Sequence, residues 1–336
     1  EERFKGEAFD WYPFRRDRQS FPLPDPAERA LTEVFLTPTM GVGEAFQLTR
    51  LGLRPTWIRW NPDGGSLLFT ADESVLDELA YSRSDLFLVT VEGELTRLTD
   101  DGYTYSGAGF SPDGRWISYT RAFGSNMIID RKLRHGGPRD LYIRPADGGD
   151  PVNLTADWDL DAGSPMWSPD SRYIYFVTGI GGARHLFRVA ADGGDVQQVT
   201  SGELRIQGLD IDRSFRRMTY TAGEFERPPD IYVADIDGQN ERRLTNVHRD
   251  FLAEVEVASR PSEKILYTSF DGTPVEGFLL YPYGYDALAG TYPLIVVNHG
   301  GPHSASGYGF SFKNMLFAAN GYFVFLPNFR GSTGYG

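Results

Sequence analysis

A short block recurs along the first three-quarters of the chain, and its internal order leaves few folds open. An aromatic residue leads into a turn at Trp60-Asn61-Pro62-Asp63-Gly64, at Phe110-Ser111-Pro112-Asp113-Gly114 and at Trp167-Ser168-Pro169-Asp170-Ser171, with a degraded copy at Ile211-Asp212-Arg213-Ser214. An alternating segment follows each one: Ser66 to Thr70, Trp116 to Thr120, Tyr173 to Val177 and Arg217 to Thr221. Next come a polar residue and an apolar run, starting at Asp85, Asp140, His185 and Asp230, and in two copies a glycine pair, Gly148-Gly149 and Gly193-Gly194. Each unit closes on an apolar residue and threonine: Leu48-Thr49, Leu98-Thr99, Leu154-Thr155, Val199-Thr200 and Leu244-Thr245.

Asp-Gly supplies the positive φ of a tight hairpin turn, and proline belongs in a corner because it cannot donate to a strand ladder. Three or four short strands per unit make a small twisted sheet that cannot bury both faces alone. Radial stacking of such sheets buries them and leaves only short edges. The period of about 45 to 55 residues suits a propeller blade. A β-sandwich with regular hairpins would not repeat one motif in one order. The reading is an all-β propeller over residues 1–250, with at least five blades at least partly present. The first is irregular: residues 1–30 lack the turn motif, although Glu33 to Thr37 reads as a third strand, so the chain is expected to start inside a blade. Asn153-Leu154-Thr155 matches a glycosylation sequon but falls on the closing repeat.

The formal charge of -13 disfavours a nucleic-acid partner, since the one basic run, Arg131-Lys132-Leu133-Arg134, reads as a solvated face. Without cysteine there is no disulfide framework, thiolate metal site or cysteine nucleophile. No apolar stretch approaches the roughly 18 residues of a membrane span, so no membrane partner is expected. Glu1 to Lys5 is no signal peptide, and the compartment stays open.

After Thr245 the repeat stops. Ile265 to Phe270, then Asp271-Gly272, then Val275 to Tyr281 reads as a hairpin. Pro293 to Asn298 is a continuous apolar run, expected of a strand buried on both faces. Ser311 to Asn320 suits a helix stopped by Gly321, and Tyr322 to Pro327 is again a buried strand. Strand, helix, strand indicates the beginning of an α/β sheet over residues 251–336, and these few elements cannot cover both of its faces.

Between that first strand and the helix lies Asn298-His299-Gly300-Gly301-Pro302-His303. A glycine pair directly after a buried strand lets backbone N–H groups point into a site, as in the HGG-type loop of lipases and esterases. His135-Gly136-Gly137-Pro138 repeats the same string but precedes a blade strand, so it reads as a loop. These motifs, with Phe270 to Pro282 and Asn328-Phe329-Arg330-Gly331-Ser332-Thr333-Gly334-Tyr335-Gly336, resemble the prolyl oligopeptidase family of serine peptidases, especially its acylaminoacyl-peptidase-like branch. That family joins a propeller to a C-terminal α/β-hydrolase domain, so the resemblance implies that residues 251–336 are the incomplete N-terminal portion of an α/β-hydrolase domain. The resemblance implies that the Gly301 amide donates to the oxyanion, that His299 assists where some branches carry a tyrosine, and that Gly300, Pro302 and Arg330 belong to loops around the active site. It also implies peptide substrates, a serine acyl-enzyme, a propeller that restricts access, and neither metal nor cofactor.

The mechanism needs a serine on a Gly-x-Ser-x-Gly elbow, then an acid and a histidine. No such elbow occurs: Gly309-Phe310-Ser311-Phe312-Lys313 fails at its last position. His135, His185 and His248 lie in or beside the repeats and read as structural. The expectation is a piece of a longer enzyme, inactive alone, with the triad beyond Gly336 in a missing C-terminal segment, perhaps a separate chain. Two other readings stand beside it: a non-catalytic binding propeller, which leaves the His299-Gly300-Gly301-Pro302 loop unexplained, and an esterase with an appended propeller.

Overall fold

The computed structural model describes residues 14–16, 19–21, 32–40, 43–72, 83–133, 136–258, 260–301 and 303–336. The chain divides into two compact units, Glu1–Ser106 with Phe123–Gly136, and Gly107–Ala122 with Gly137–Gly336.

In the first unit, β1 (Phe14–Arg16) pairs with β2 (Gln19–Phe21), and β3 (Phe35–Leu36) with β4 (Phe46–Gln47). A four-stranded antiparallel sheet follows in chain order: β5 (Pro55–Trp60), β6 (Ser66–Asp72), β7 (Ser84–Thr90) and β8 (Leu95–Arg97). Val34, Leu48, Leu67, Phe69, Phe87 and Val89 form its core, and the Phe69 and Phe87 rings stack with centroids 5.5 Å apart.

The plan repeats with β9 (Tyr103–Phe110), β10 (Trp116–Phe123), β11 (Asp140–Pro145) and β12 (Val152–Asn153), a short helix α1 (Ser125–Asp130) lying between β10 and β11; the division between the units falls within β9 and β10. Then come β13 (Met166–Trp167), β14 (Tyr173–Ile180), β15 (Ala183–Ala190) and β16 (Gln197–Gln198), and β17 (Gln207–Ile211), β18 (Arg217–Ala222), β19 (Asp230–Asp235) and β20 (Arg242–Arg243). Each sheet is an antiparallel meander, the local architecture of a propeller blade. The aromatic of each turn motif ends the first strand of its sheet rather than opening it, so each blade begins one strand upstream of the motif.

The closing threonine has a mechanical role. Its Oγ1 accepts from a backbone amide of the third strand, or of the residues ahead of β3 in the irregular first blade: Val34 N from Thr49 at 2.9 Å, Leu86 N from Thr99 at 3.0 Å, Leu141 N from Thr155 at 3.0 Å, Leu186 N from Thr200 at 2.9 Å and Ile231 N from Thr245 at 2.9 Å. The hydroxyl then donates to the carboxylate one residue earlier, Glu33, Asp85, Asp140 or Asp230. In the remaining blade His185 occupies that place, its Nδ1 3.2 Å from Thr200. The polar residue and the threonine that the repeat keeps are two halves of one clamp, fastening the outermost strand where its ladder ends. The sequon belongs to it too: Asn153 Nδ2 donates to Asp140 at 3.1 Å, and Thr155 is 1% exposed.

After helix α2 (Arg249–Glu254) the chain forms β21 (Glu263–Thr268), β22 (Pro274–Leu280), β23 (Leu294–Val296), helix α3 (Phe312–Ala319) and β24 (Phe323–Asn328). The sheet order is β21-β22-β24-β23, with β23 and β24 parallel across α3 and the other pairs antiparallel. Ser311 caps α3 by accepting from Asn314 N, and Gly321 ends the turn beyond it at φ +87°. Phe278, Leu280, Met315, Val324 and Leu326 fill the space between sheet and helix. One expectation fails here. The apolar run ending at Asn298 is not buried on both faces: Leu294 and Val296 are 56% and 51% exposed. β23 is the edge strand, and among the described residues only β24 pairs with it.

Candidate functional site

The loop after β23 carries the residues that the motifs singled out. Parallel pairing with β24 sets the end of β23 beside the segment that leaves β24, and the two loops are then tied together. Asn328, 2% exposed, accepts from Ser306 N at 2.7 Å and donates to Ser306 O at 2.9 Å, and Thr333 N donates to Ser304 O at 2.9 Å. A buried carboxamide that satisfies both polar groups of a facing residue fixes that loop as a strand ladder would.

His299 sits in this frame, held on three sides. Its ring stacks on Phe329 with centroids 4.3 Å apart, Nε2 lies 2.8 Å from Ser332 Oγ and Nδ1 3.0 Å from Gly300 O. A carbonyl only accepts, so Nδ1 carries a hydrogen, and the neutral ring presents Nε2 as an acceptor for the Ser332 hydroxyl. The Ser332 hydroxyl also lies 2.6 Å from Phe329 O, which ties it to the loop after β24.

Gly301 takes φ +136°, where a Cβ would stand 2.8 Å from His303 N, so only glycine fits without displacement. Both Gly300 and Gly301 are exposed, and the Gly301 amide has no hydrogen-bond partner among the described residues. A free N–H on a glycine loop beside a fixed imidazole can receive negative charge developing on a carbonyl oxygen. Pro302 lies outside the described residues, as does His135 of the duplicate motif. Arg330, 57% exposed at its side chain, pairs with Asp271 of the β21–β22 turn and thereby braces the loop after β24. The thread from Gly334 onward reaches further: Gly181 N donates to Gly334 O at 2.7 Å.

Sequence reasoning missed Glu276, the hub of this region. It is 9% exposed on β22, accepts from Gly182 N at 3.0 Å and from Tyr335 Oη at 2.7 Å, and faces Lys264 Nζ at 3.6 Å. Burial, then Glu276, pushes the Tyr335 hydroxyl far above its ordinary value, so it stays a donor; burial and Glu203 do the same for Tyr308. Gly182 and Gly307 meet backbone to backbone, a Cβ on Gly307 falling 1.9 Å from Gly182 O. The signal that could have found this was a glutamate inside an otherwise apolar strand. A cleft of about 190 Å³ opens beside His299, lined also by Asn298, Ser306, Ser311, Lys313 and Asn314. Asn314, a second residue the sequence gave no reason to choose, keeps a buried Oδ1 without a partner among the described residues.

No protein-family profile matches the chain. Among curated proteins it is 26% identical to the uncharacterized peptidase YuxL of Bacillus subtilis, over 90% of this chain and 59% of that one. It is 26% identical to dipeptidyl-peptidase 5 of Aspergillus oryzae, over 82% of this chain and 39% of the relative, and 24% identical to dipeptidyl-peptidase 5 of Porphyromonas gingivalis, over 82% and 40%. The chain thus spans between two-fifths and three-fifths of the length of these relatives. In fold it is similar to Pyrococcus horikoshii acylaminoacyl peptidase, with a TM-score of 0.65 at 22% identity over 87% of this chain and 42% of that one. It is also similar to a puromycin hydrolase, with a TM-score of 0.62 at 20% identity over 87% and 44%. The relatives are named as peptidases and the repeated four-stranded sheets are propeller-like, in keeping with the resemblance of the motifs to the prolyl oligopeptidase family.

Proposed function

We propose that this chain provides the propeller (residues 1–250) and the oxyanion side (residues 251–336) of a serine peptidase that cleaves short peptides through an acyl-enzyme. The observation that carries the reading is the exposed amide of Gly301, without a hydrogen-bond partner among the described residues, on a loop that leaves a parallel strand and is pinned beside His299. In this reading Gly301 N–H receives the oxyanion, His299 assists it, Gly300 and Pro302 shape the loop, and Arg330 holds the facing loop through Asp271. The propeller restricts the site to small or unfolded peptides. Residues 1–336 contain no Gly-x-Ser-x-Gly, so the nucleophile, acid and base are supplied from outside them, and this chain alone is inactive. Neither metal nor cofactor takes part, and nucleic acid and membranes are not partners.

The test is covalent labelling of the native protein, isolated intact, with a fluorophosphonate, followed by intact mass under denaturing conditions. Labelling of a polypeptide that contains or accompanies these residues supports the reading. A sole species of 336 residues that stays unlabelled refutes it, and the propeller is then a binding module. Hydrolysis of acyl esters without hydrolysis of peptide amides would make the enzyme an esterase instead. Gly301→Ala in the native protein should lower kcat by roughly 10- to 1,000-fold, since it displaces one oxyanion donor.

A further inference from the structure

A second cleft, of about 370 Å³, opens between the inner strands of the sheets β13–β16 and β17–β20. Its polar lining is cationic and neutral: Arg139 ahead of β11, Arg184 on β15, Ser164 and Gln207, with Met166 and Leu209 among the apolar walls. No acidic side chain lines it among the described residues, in a chain whose formal charge is -13. Arginine on an acidic protein is ordinarily drawn into ion pairs, as Arg83, Arg97, Arg227, Arg243 and Arg330 are here. Arg139 and Arg184 are not: both are exposed, and neither guanidinium has an ion pair or hydrogen bond among the described residues. Asp161, which could have neutralised Arg139, accepts from its backbone amide at 2.7 Å instead.

The backbone aims Arg184 deliberately. Leu204 O accepts from Arg184 N at 3.1 Å and Ile206 N donates to Arg184 O at 3.0 Å, so the segment before β17 runs parallel beside it. Its neighbour in that pairing, Arg205, adds a third positive charge and donates from Nη1 to Ala305 O at 3.1 Å, in the loop that carries Gly301. Burial and the charge of Arg184 both disfavour the proton on Arg205, as close like charges without an intervening anion must. Two unpaired forks at the mouth of a concave site, backed by a hydroxyl, a carboxamide and apolar walls, suit a planar anion on an apolar body.

We propose that this cleft binds the carboxylate of a peptide, seating an apolar side chain against Met166 and Leu209. The proposal deepens the peptidase reading and rests on it for the ligand class, whereas the carboxylate preference stands on the cleft alone. It is tested by calorimetric titration of the full chain with acetyl-Ala-Ala-Phe as the free acid, as the carboxamide, and as a carboxamide with an internal glutamate. The free acid should bind about tenfold more tightly than its carboxamide, the scale of a charge-assisted fork at a partly open site. Arg139→Ala and Arg184→Ala should each erase most of that difference and leave the melting temperature unchanged, because both side chains are exposed. Equal binding of acid and carboxamide, or an acid preference that survives the double substitution, overturns the proposal. A glutamate peptide that matches the free acid identifies a side-chain carboxylate as the ligand, and one that does not identifies the chain terminus. The titration involves no hydrolysis, so failure of the native protein to label with fluorophosphonate would sink the peptidase reading without touching this result.

Discussion

Thr155→Val replaces one hydroxyl by a methyl in nearly the same volume, so the clamp can be broken without opening a cavity. The hydroxyl accepts from Leu141 N at 3.0 Å and donates to Asp140 Oδ1 at 3.1 Å, and Thr155 and Leu141 are 1% and 0% exposed. Removing it orphans a buried amide, which costs about 1–3 kcal/mol, and strips one donor from a carboxyl that burial already pushes up. Asn153 still donates to Asp140, so the second loss is partial, and the sum should be about 2–3 kcal/mol. Denaturant titration should show a lower midpoint at unchanged slope. Thr155→Ser keeps both hydrogen bonds and should cost about 1 kcal/mol, the loss of one buried methyl. If valine costs no more than serine, the hydroxyl is not the clamp, and the recurrence of threonine needs another physical cause.

The remaining expectations concern the other blades and the loop junction. Gly182→Ala places a Cβ 2.1 Å from Phe278 Cζ, and should destabilise by roughly 3 kcal/mol or more in a thermal melt; a change below about 0.5 kcal/mol would refute the close approach. Burial lowers the pKa of His185 below its ordinary 6.5. The unfolded chain then binds the proton first, so the stability from neutral His185 is complete above pH 6.5 and is lost as pH falls below it. His185→Asp, the residue of three sister blades, should flatten that acid limb, and an unchanged slope of stability against pH would exclude His185 as its source. Ser332→Ala should leave His299 stacked on Phe329 but free to turn, lowering kcat in the native protein more than it changes KM. An unaltered kcat would separate His299 from the chemistry.

The repeat was legible because each part of it answers a local demand that one sequence can state. Asp and Gly mark turns, alternation marks half-buried strands, and threonine with a carboxylate marks the clamp. The phase was not legible. The first strand of each blade varies from Met166–Trp167 to the eight residues of Tyr103–Phe110, so no shared motif announces where a blade begins. His185 in the place of aspartate could be read only as a polar residue until its ring was seen against Thr200 and Gly202 O.

At the candidate site the sequence singled out the glycine loop, His299 and Arg330, and gave no reason to choose the side chains that tie them together. Gly301 was visible because a glycine pair after an apolar strand has few reasons to exist, and φ +136° supplies one. Glu276, Asn328 and Tyr335 were not, because their value lies in meeting one another across long separations: Tyr335 reaches Glu276, and Glu276 reaches Gly182. The apolar run of β23 misled for a related reason. Hydrophobicity reports what a strand is suited to be buried by, whereas burial reports what is beside it, and only β24 stands beside β23 among the described residues. The physical consequence is that the loop bearing Gly301 is anchored by Asn328, Ser332 and Thr333 of the segment after β24 and by Arg205 and the Gly182 turn of the blades. Its geometry therefore depends on the blade carrying Gly182, and a substitution in that turn should shift the loop that bears Gly301.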